Sequence, residues 1–415
     1  MGHQLARPVA SAVVVGGRYC LAAEDGTVVA LDLESGQVAW ERAIDAGRAA
    51  HALAAGDGRL LVGSVDLRLL PVNGRPLLAL DAGTGADLWQ YATVGHSLSA
   101  AAVAGGTAYF TSSDGRLHAV DIATGHARWA VGHAPWGPGA PAAGEGIVCA
   151  GGRGDTLVAY AAGDGAELWR FSAQGWFAAS LHVAGGRVYA ACWDGNLYAL
   201  DARSGHLLWS YKGERGEGIT SPAAAAGERV LIGSRVYREV DGQQGAAYAL
   251  LALRVADGSE VWRSFTGKHV FAQPAVAGDL ALAGADEGVL YALDLASGDE
   301  RWKRDLGGRV VAAPQIAGDF VYVGERRGTA YALRWRAAPL APIDSPAVYQ
   351  RQGEHEHAAV AYALRGDYGA AAGIYATLGQ PRHAARLYER AGQPGRAAPL
   401  WEAAGELRRA RDLYQ

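Results

Sequence analysis

Short apolar runs of period two, each closed by a glycine-bearing turn, follow one another from Val9 to Leu333 and return about every 40 residues. The unit ending at Trp302 shows the pattern in full. Ala275-Val-Ala-Gly278 and Leu280-Ala-Leu-Ala-Gly284 lead to the turn Asp286-Glu-Gly288. Val289-Leu-Tyr-Ala-Leu-Asp294 then runs through Ala296-Ser-Gly298 to Asp299-Glu-Arg-Trp302. Four alternating runs separated by tight turns predict four antiparallel strands joined as hairpins. Seven copies of G-x-x-x-W mark the period, at Trp40, Trp89, Trp129, Trp169, Trp209, Trp262 and Trp302, with intervals of 49, 40, 40, 40, 53 and 40 residues.

A single sheet of this kind is apolar on both faces and needs a neighbour on each side. Radial stacking around an axis supplies both and leaves only short edges. The fourth-strand Trp is large and rigid, which suits it to wedging between neighbouring blades; it is read as packing, not binding. The turn before it, D-x-x-[ST]-G, places a carboxylate where it can accept backbone N–H groups and a glycine where φ is positive. Asp32, Asp81, Asp121, Asp201 and Asp294 fill the first position, whereas Ala161 and Arg254 replace it, so this Asp is a turn device and not a ligand. After Trp302 an eighth unit runs from Val310 to Trp335 without G-x-x-x-W and supplies three strands. The expected fold is an all-β propeller of about eight four-stranded blades over residues 1–336, the last completed by Gly2–Ala6. Seven blades with a leftover is the alternative.

Leu197-Tyr-Ala-Leu-Asp-Ala-Arg-Ser-Gly-His-Leu-Leu-Trp209 is similar to the PQQ-like propeller repeat, and the resemblance extends from residue 7 to about residue 336. It implies the fold. It does not imply one function, because that family includes quinoprotein dehydrogenases, an outer-membrane assembly lipoprotein, sensor domains of bacterial Ser/Thr kinases and protein-binding scaffolds.

Beyond a Pro-rich linker at 337–346 the period changes. Gly353, Gly366, Gly379, Gly392 and Gly405 are 13 residues apart, as are Tyr349, Tyr362, Tyr375, Tyr388, Trp401 and Tyr414. Units such as Ala384-Ala-Arg-Leu-Tyr-Glu-Arg-Ala-Gly392 predict short helices closed by glycine, with Pro381 and Pro394 opening new ones. Residues 347–415 are therefore expected to form a small α-helical solenoid, resembling TPR-like and coat-protein-like arrays. Its end at Gln415 has no obvious polar cap, which implies a covering partner or a longer chain.

Charge and chemistry narrow the function. Lys and Arg number 38 against 42 Asp and Glu, a net charge of −4, which argues against nucleic acid or an anionic membrane as the partner. Cys20, Cys149 and Cys192 sit in apolar runs with no C-x-x-C, and are read as buried small hydrophobes in a reducing compartment. With no basic-then-apolar leader at Met1-Gly-His-Gln-Leu-Ala, the expected location is cytoplasmic. The PQQ-type dehydrogenases that the repeat resembles carry a vicinal Cys pair and carboxylates that hold calcium. This sequence has no adjacent cysteines. His355-Glu-His357, the one tight His pair, is spaced i, i+2, so on a helix the two rings face apart. No catalytic, cofactor-binding or metal-ligating residues are identified, and no cofactor is expected.

Two features point to binding. The loop position entering each innermost strand reads Arg7, Gly47, His96, Pro135 beside Trp136, Trp176, Gly218, His269 and Arg309. A mouth carrying Arg7, His96, Trp136, Trp176, His269 and Arg309 could hold an anionic or aromatic small molecule or a peptide tail. The two long intervals are insertions between strands two and three, Val65–Pro76 in blade 2 and Arg235–Ala247 in blade 6. These opposed arms suggest a docking face on the mouth side. The expected function is a non-catalytic scaffold that binds protein partners through the helical array and the blade 2/6 face, with a ligand-sensing propeller as the alternative.

Overall fold

The computed structural model describes residues 2–5, 7–44, 50–64, 76–95, 98–133, 139–152, 154–177, 181–213, 218–240, 243–335, 355, 359, 362 and 367–414. They form two compact units, residues 1–335 and 336–415. The first is a ring of eight antiparallel sheets in chain order. Blade 1 spans Val9–Ala43, and blade 8 takes three strands from Gln315–Arg334 and its outermost strand from Gly2–Gln4. That strand pairs Gly2, His3 and Gln4 with Tyr331, Ala330 and Thr329. The ring is thus closed by hydrogen bonds between the two ends of the propeller sequence, which bears out eight blades and not the seven-blade alternative.

The core is not one mass but eight layers, one at each blade–blade boundary. Strand alternation creates them. In blade 7, Ala281, Ala283, Tyr291 and Leu293 face blade 6, while Leu280, Leu282, Leu290 and Ala292 face blade 8. A continuous apolar strand such as Leu280–Gly284 is buried on both faces for this reason. The three cysteines lie in these layers as free thiols, Cys20 between blades 1 and 2, and Cys149 and Cys192 between blades 4 and 5. Burial pushes the Cys20 thiol up to about 12 and the Cys192 thiol up to about 11.

The fourth-strand Trp crosses six of the eight boundaries in the same way. Trp40, Trp89, Trp129, Trp169, Trp209 and Trp262 donate their indole N–H to the carbonyls of Ala82, Ile122, Ala162, Ala202, Val255 and Leu295 in the next blade, at 2.9–3.0 Å. Each ring lies against the positive-φ glycine of the neighbouring turn, such as Gly205 under Trp169. A Cβ there would fall 2.5 Å from the Trp169 ring, so the turn glycine serves packing as well as backbone conformation. The turn carboxylates behave as expected: the Asp201 side chain accepts from the backbone N–H and hydroxyl of Ser204 at 2.8 and 2.7 Å. Where Ala161 and Arg254 replace the Asp, Asp164 and Asp257 cap the turn from the fourth position.

Blade 6 departs from the plan twice. Its inner strand is split into Gly218–Ile219 and Ala224–Ala226 around Pro222, which has no N–H to offer; the Ser221 hydroxyl bridges the gap by accepting from Gly233 N–H at 2.8 Å. Its middle strands, Arg229–Val240 and Gln243–Arg254, pair over their whole length as a long hairpin, the form the blade 6 insertion takes. The blade 2 insertion lies outside the described residues.

Two buried histidines hold the blades from inside. The His133 ring N–H donates to the Gly151 carbonyl at 3.1 Å and its other nitrogen meets the Tyr160 hydroxyl at 3.1 Å. His118 sits between Asp114 at 3.1 Å and the Tyr91 hydroxyl at 3.3 Å. Burial lowers the pKa of both. Each is therefore neutral when folded and takes up its proton more readily when unfolded. Their contribution is complete above the ordinary histidine range near 6.5 and is lost as pH falls from there through the lowered folded values. The unfolding free energy from urea titration is expected to drop between pH 7 and pH 5, by at most about 1.4 kcal/mol per pH unit for each group. His133→Gln should flatten that slope; an unchanged slope would remove His133 from the explanation.

In the second unit, four helices are seen among the described residues: α1 (Tyr368–Thr377), α2 (Pro381–Arg390), α3 (Pro394–Ala403) and α4 (Leu407–Tyr414). Positive-φ Gly379, Gly392 and Gly405 end the first three, and Pro381 and Pro394 open the next. Ala385, Ala397 and Ala410 let consecutive helices approach around Tyr388 and Trp401. The four helices among the described residues, of 8–10 residues each, are short and not clearly TPR-like. The linker at 337–346 and the partner His357 of His355 lie outside the described residues.

Candidate functional site

The loops that enter each innermost strand and the turns between second and third strands emerge on one face of the ring. A backbone bond ties them together in three blades. Trp193, Asp286 and Arg326 donate their N–H to the carbonyls of Trp176, His269 and Arg309 at 2.8–3.0 Å. The sequence-derived ring positions are therefore structurally equivalent in blades 5, 7 and 8. Gly47, His96, Pro135 and Trp136 lie outside the described residues.

The arginines of this ring are engaged. Arg7 pairs with Asp25 at 3.1 Å and Glu41 at 2.7 Å, Arg309 with Asp286 at 2.7 Å, and Arg326 with Glu24 at 3.2 Å. Exposed pairs of this kind add little stability. What they do is satisfy the cations, which leaves the aromatic residues as the unusual feature of the mouth.

Trp176 stacks on Trp193, with ring centroids 5.6 Å apart, yet the two remain 43% and 74% exposed. The turn beneath them is firmly held: Asp194 accepts from the Tyr198 hydroxyl at 2.7 Å and from Asn196 N–H at 2.9 Å. A second group stands at blades 6 and 7. His269 stacks on Phe271 at 4.6 Å and meets Tyr248, at the base of the blade 6 hairpin, at 4.1 Å. Burial, with the nearby Arg235 charge, lowers the His269 pKa and keeps the ring neutral. Phe271 is exposed, and so is Phe265 near the end of the outermost strand of blade 6.

Trp193, Phe265, Phe271 and Tyr248 were not among the sequence-derived site residues. For Trp193 a signal existed. Its turn position holds Glu24, Ser113, Asp286 and Arg326 in blades 1, 3, 7 and 8, so a Trp there breaks a polar rule of the repeat.

The quinone chemistry of the PQQ-like family can be tested against these residues. Among the described residues no group of three or more His, Cys, Asp or Glu is placed to hold a metal ion. The cysteines lie apart within the inter-blade layers, and the mouth arginines are already paired with carboxylates. Among the described residues the donor set does not fit a calcium-bound quinone.

Comparison with known proteins places this geometry. The family profile described as "Outer membrane protein assembly factor BamB" matches residues 2–131, 119–250 and 246–338. A curated relative of that name from Yersinia pestis is 26% identical over 204 residues, covering 44% of this chain and 51% of the relative. The chain thus spans about half the length of that relative, as it does of the one from Moranella endobia. The crystal structure of BamB from Moraxella catarrhalis superposes with a TM-score of 0.60 at 18% identity, covering 81% of this chain and 98% of that one. A quinohemoprotein alcohol dehydrogenase from Pseudomonas putida HK5 superposes with a TM-score of 0.63 at 16% identity, covering 79% and 72%. At such identities these structures show the fold alone. The three curated relatives all carry the outer-membrane assembly name, which overturns the expectation of a cytoplasmic protein. That expectation rested on the residues Met1-Gly-His-Gln-Leu-Ala and on the cysteine usage, and free thiols buried between blades do not select a compartment. With a profile match running through nearly the whole propeller, this chain belongs to the family of outer membrane protein assembly factor BamB.

Proposed function

We propose that this chain is a non-catalytic platform for protein interaction, serving an outer-membrane protein assembly apparatus and holding a protein partner against the aromatic mouth of its propeller. One observation carries the reading. Exposed Trp176, Trp193 and Phe271 all stand at the loops and turns of the mouth face, Trp176 tied to Trp193 by a backbone bond and Phe271 stacked on His269. Exposed aromatic rings concentrated on one face are the usual anchors of a protein interface. Their loops are pinned to the ring by backbone hydrogen bonds, so little ordering entropy is lost when a partner docks. The blade 6 hairpin rises beside the second aromatic group through Tyr248 and extends that face.

Photo-crosslinking in the native host tests this. A photoreactive residue at 193 or 271 is expected to give a discrete protein adduct, and one at Leu208 on the outer rim of blade 5 is not. Adducts from Leu208, or from Leu407 of α4, with none from the mouth would contradict the proposal.

A further inference from the structure

Trp176 and Trp193 stand where the mouth elsewhere carries charge. The turn position of Trp193 holds Asp286 in blade 7 and Arg326 in blade 8, and the loop position of Trp176 holds His269 and Arg309. Those charges are answered within the chain: Arg309 pairs with Asp286, Arg326 with Glu24 and Arg7 with Asp25. At blade 5 both positions are exposed indoles. The charges beside them are the carboxylates of Asp194 and Asp155.

Asp194 follows Trp193 in the turn and accepts the backbone N–H of Gln174, in the loop that leads to Trp176, at 3.3 Å. Gly175 permits that approach, since a Cβ there would fall 2.5 Å from Asp194 N. The other donors to Asp194, the Tyr198 hydroxyl and Asn196 N–H, are neutral as well. Partial burial raises its pKa, but these bonds outweigh it and hold the carboxyl below its ordinary value. The charge is therefore fixed in place and not cancelled. Asp155 joins from blade 4. Its carbonyl accepts Ala173 N–H at 2.8 Å, and its exposed carboxylate takes the Thr156 hydroxyl at 3.0 Å. Among the described residues no Lys, Arg or His pairs with Asp155 or Asp194, and no cation lies over Trp176 or Trp193.

The helical unit contains a completed set of the same three groups. There Trp401 donates its indole N–H to Glu389 at 2.6 Å. The Arg409 guanidinium lies 4.6 Å from the Trp401 ring centre and 4.0 Å from the Glu389 carboxylate. A guanidinium on an indole face with a carboxylate at its edge combines stacking, cation–π attraction and charge pairing.

We infer that the blade 5 site binds an arginine side chain of the partner protein, its guanidinium on the exposed face of Trp193 and its charge toward Asp194 and Asp155. The inference rests on the mouth being the docking face and adds the chemistry recognised there. Arginine fits better than lysine because its plane matches the indole and its five N–H donors can serve two carboxylates. In blade 7, Glu287 holds Tyr291 as Asp194 holds Tyr198, but its neighbour in the turn is Asp286, already paired with Arg309. The indole and the unanswered carboxylate meet at blade 5.

The test uses the full chain and the peptide acetyl-Gly-Ser-Arg-Ser-Gly-amide, followed by NMR through the indole N–H signals of Trp176 and Trp193, each assigned from its Phe variant. Titration is expected to move both signals saturably. Replacing the peptide arginine by citrulline, a planar neutral isostere, should weaken binding about tenfold, and lysine should weaken it about threefold. D155N/D194N, once its melting curve matches the parent, should weaken the arginine peptide about tenfold and leave the citrulline peptide unchanged. F271A should change neither. Absence of a saturable shift, or citrulline binding as tightly as arginine, overturns the proposal. Crosslinks from position 193 to a protein that persist undiminished in D155N/D194N overturn the arginine and keep the mouth as the docking face. A saturable arginine site with no crosslinked protein at 193 or 271 overturns the partner and leaves a free guanidinium as the ligand.

Discussion

Trp169→Ala is expected to lower the unfolding free energy of the propeller by about 3–5 kcal/mol, the range for removing a large buried aromatic side chain. Trp169 is 8% exposed and belongs to the layer between blades 4 and 5, with Leu157, Phe177 and Leu200. Its removal opens a void that rigid sheets on either side cannot close, and it strands the Ala202 carbonyl that accepts the indole N–H at 3.0 Å. Trp169→Phe keeps part of the ring volume and loses the hydrogen bond, so it should fall well short of the alanine variant. Trp193→Ala, at 74% exposure, should leave stability within about 0.5 kcal/mol. Urea denaturation of the three variants checks the order. Equal midpoints for Trp169→Ala and Trp193→Ala would contradict the role assigned to the boundary tryptophans.

The second large effect concerns closure. Deleting Gly2–Leu5 removes the pairing with Thr329–Tyr331, the bond from Leu5 N–H to the Gly328 carbonyl at 2.7 Å, and the apolar contact of Leu5 with the layer between blades 8 and 1. The expected loss is about 2–4 kcal/mol, from the hydrogen bonds and apolar area given up. The exposed strand edge of blade 8 is then open to other chains, so association that grows with concentration should accompany the lower midpoint. Light scattering after size exclusion would detect it. A monomer with an unchanged urea midpoint would show that the ring does not depend on this strand.

The ring was legible in the sequence because its construction is periodic. The spacing of Trp40 to Trp302 marks the blade boundaries, and the turn glycines and carboxylates mark the hairpins. The three strands after Trp302 left a place that an N-terminal segment was expected to fill, with seven blades and a leftover as the alternative. The 13-residue helical period was legible for a similar reason, since Gly379, Gly392, Pro381 and Pro394 act through the backbone. The site was harder to see. Trp176, His269 and Arg309 were found because they share one position of the repeat. Trp193 was passed over because it departs from the repeat, and Phe271 and Tyr248 meet His269 only once blades 6 and 7 stand side by side. Location was not legible at all, because packing between blades, and not the compartment, selects most of these residues.

The most direct test of the central claim is affinity purification of the full chain from its native host, compared with W176A/W193A and with a chain ending at Pro342. The expected result is a stoichiometric protein partner retained by the full and shortened chains and lost from the double variant, whose melting curve stays that of the parent. Retention of that partner by W176A/W193A, with loss on removing the helices, would contradict the account and move the binding site from the propeller mouth to the helical unit.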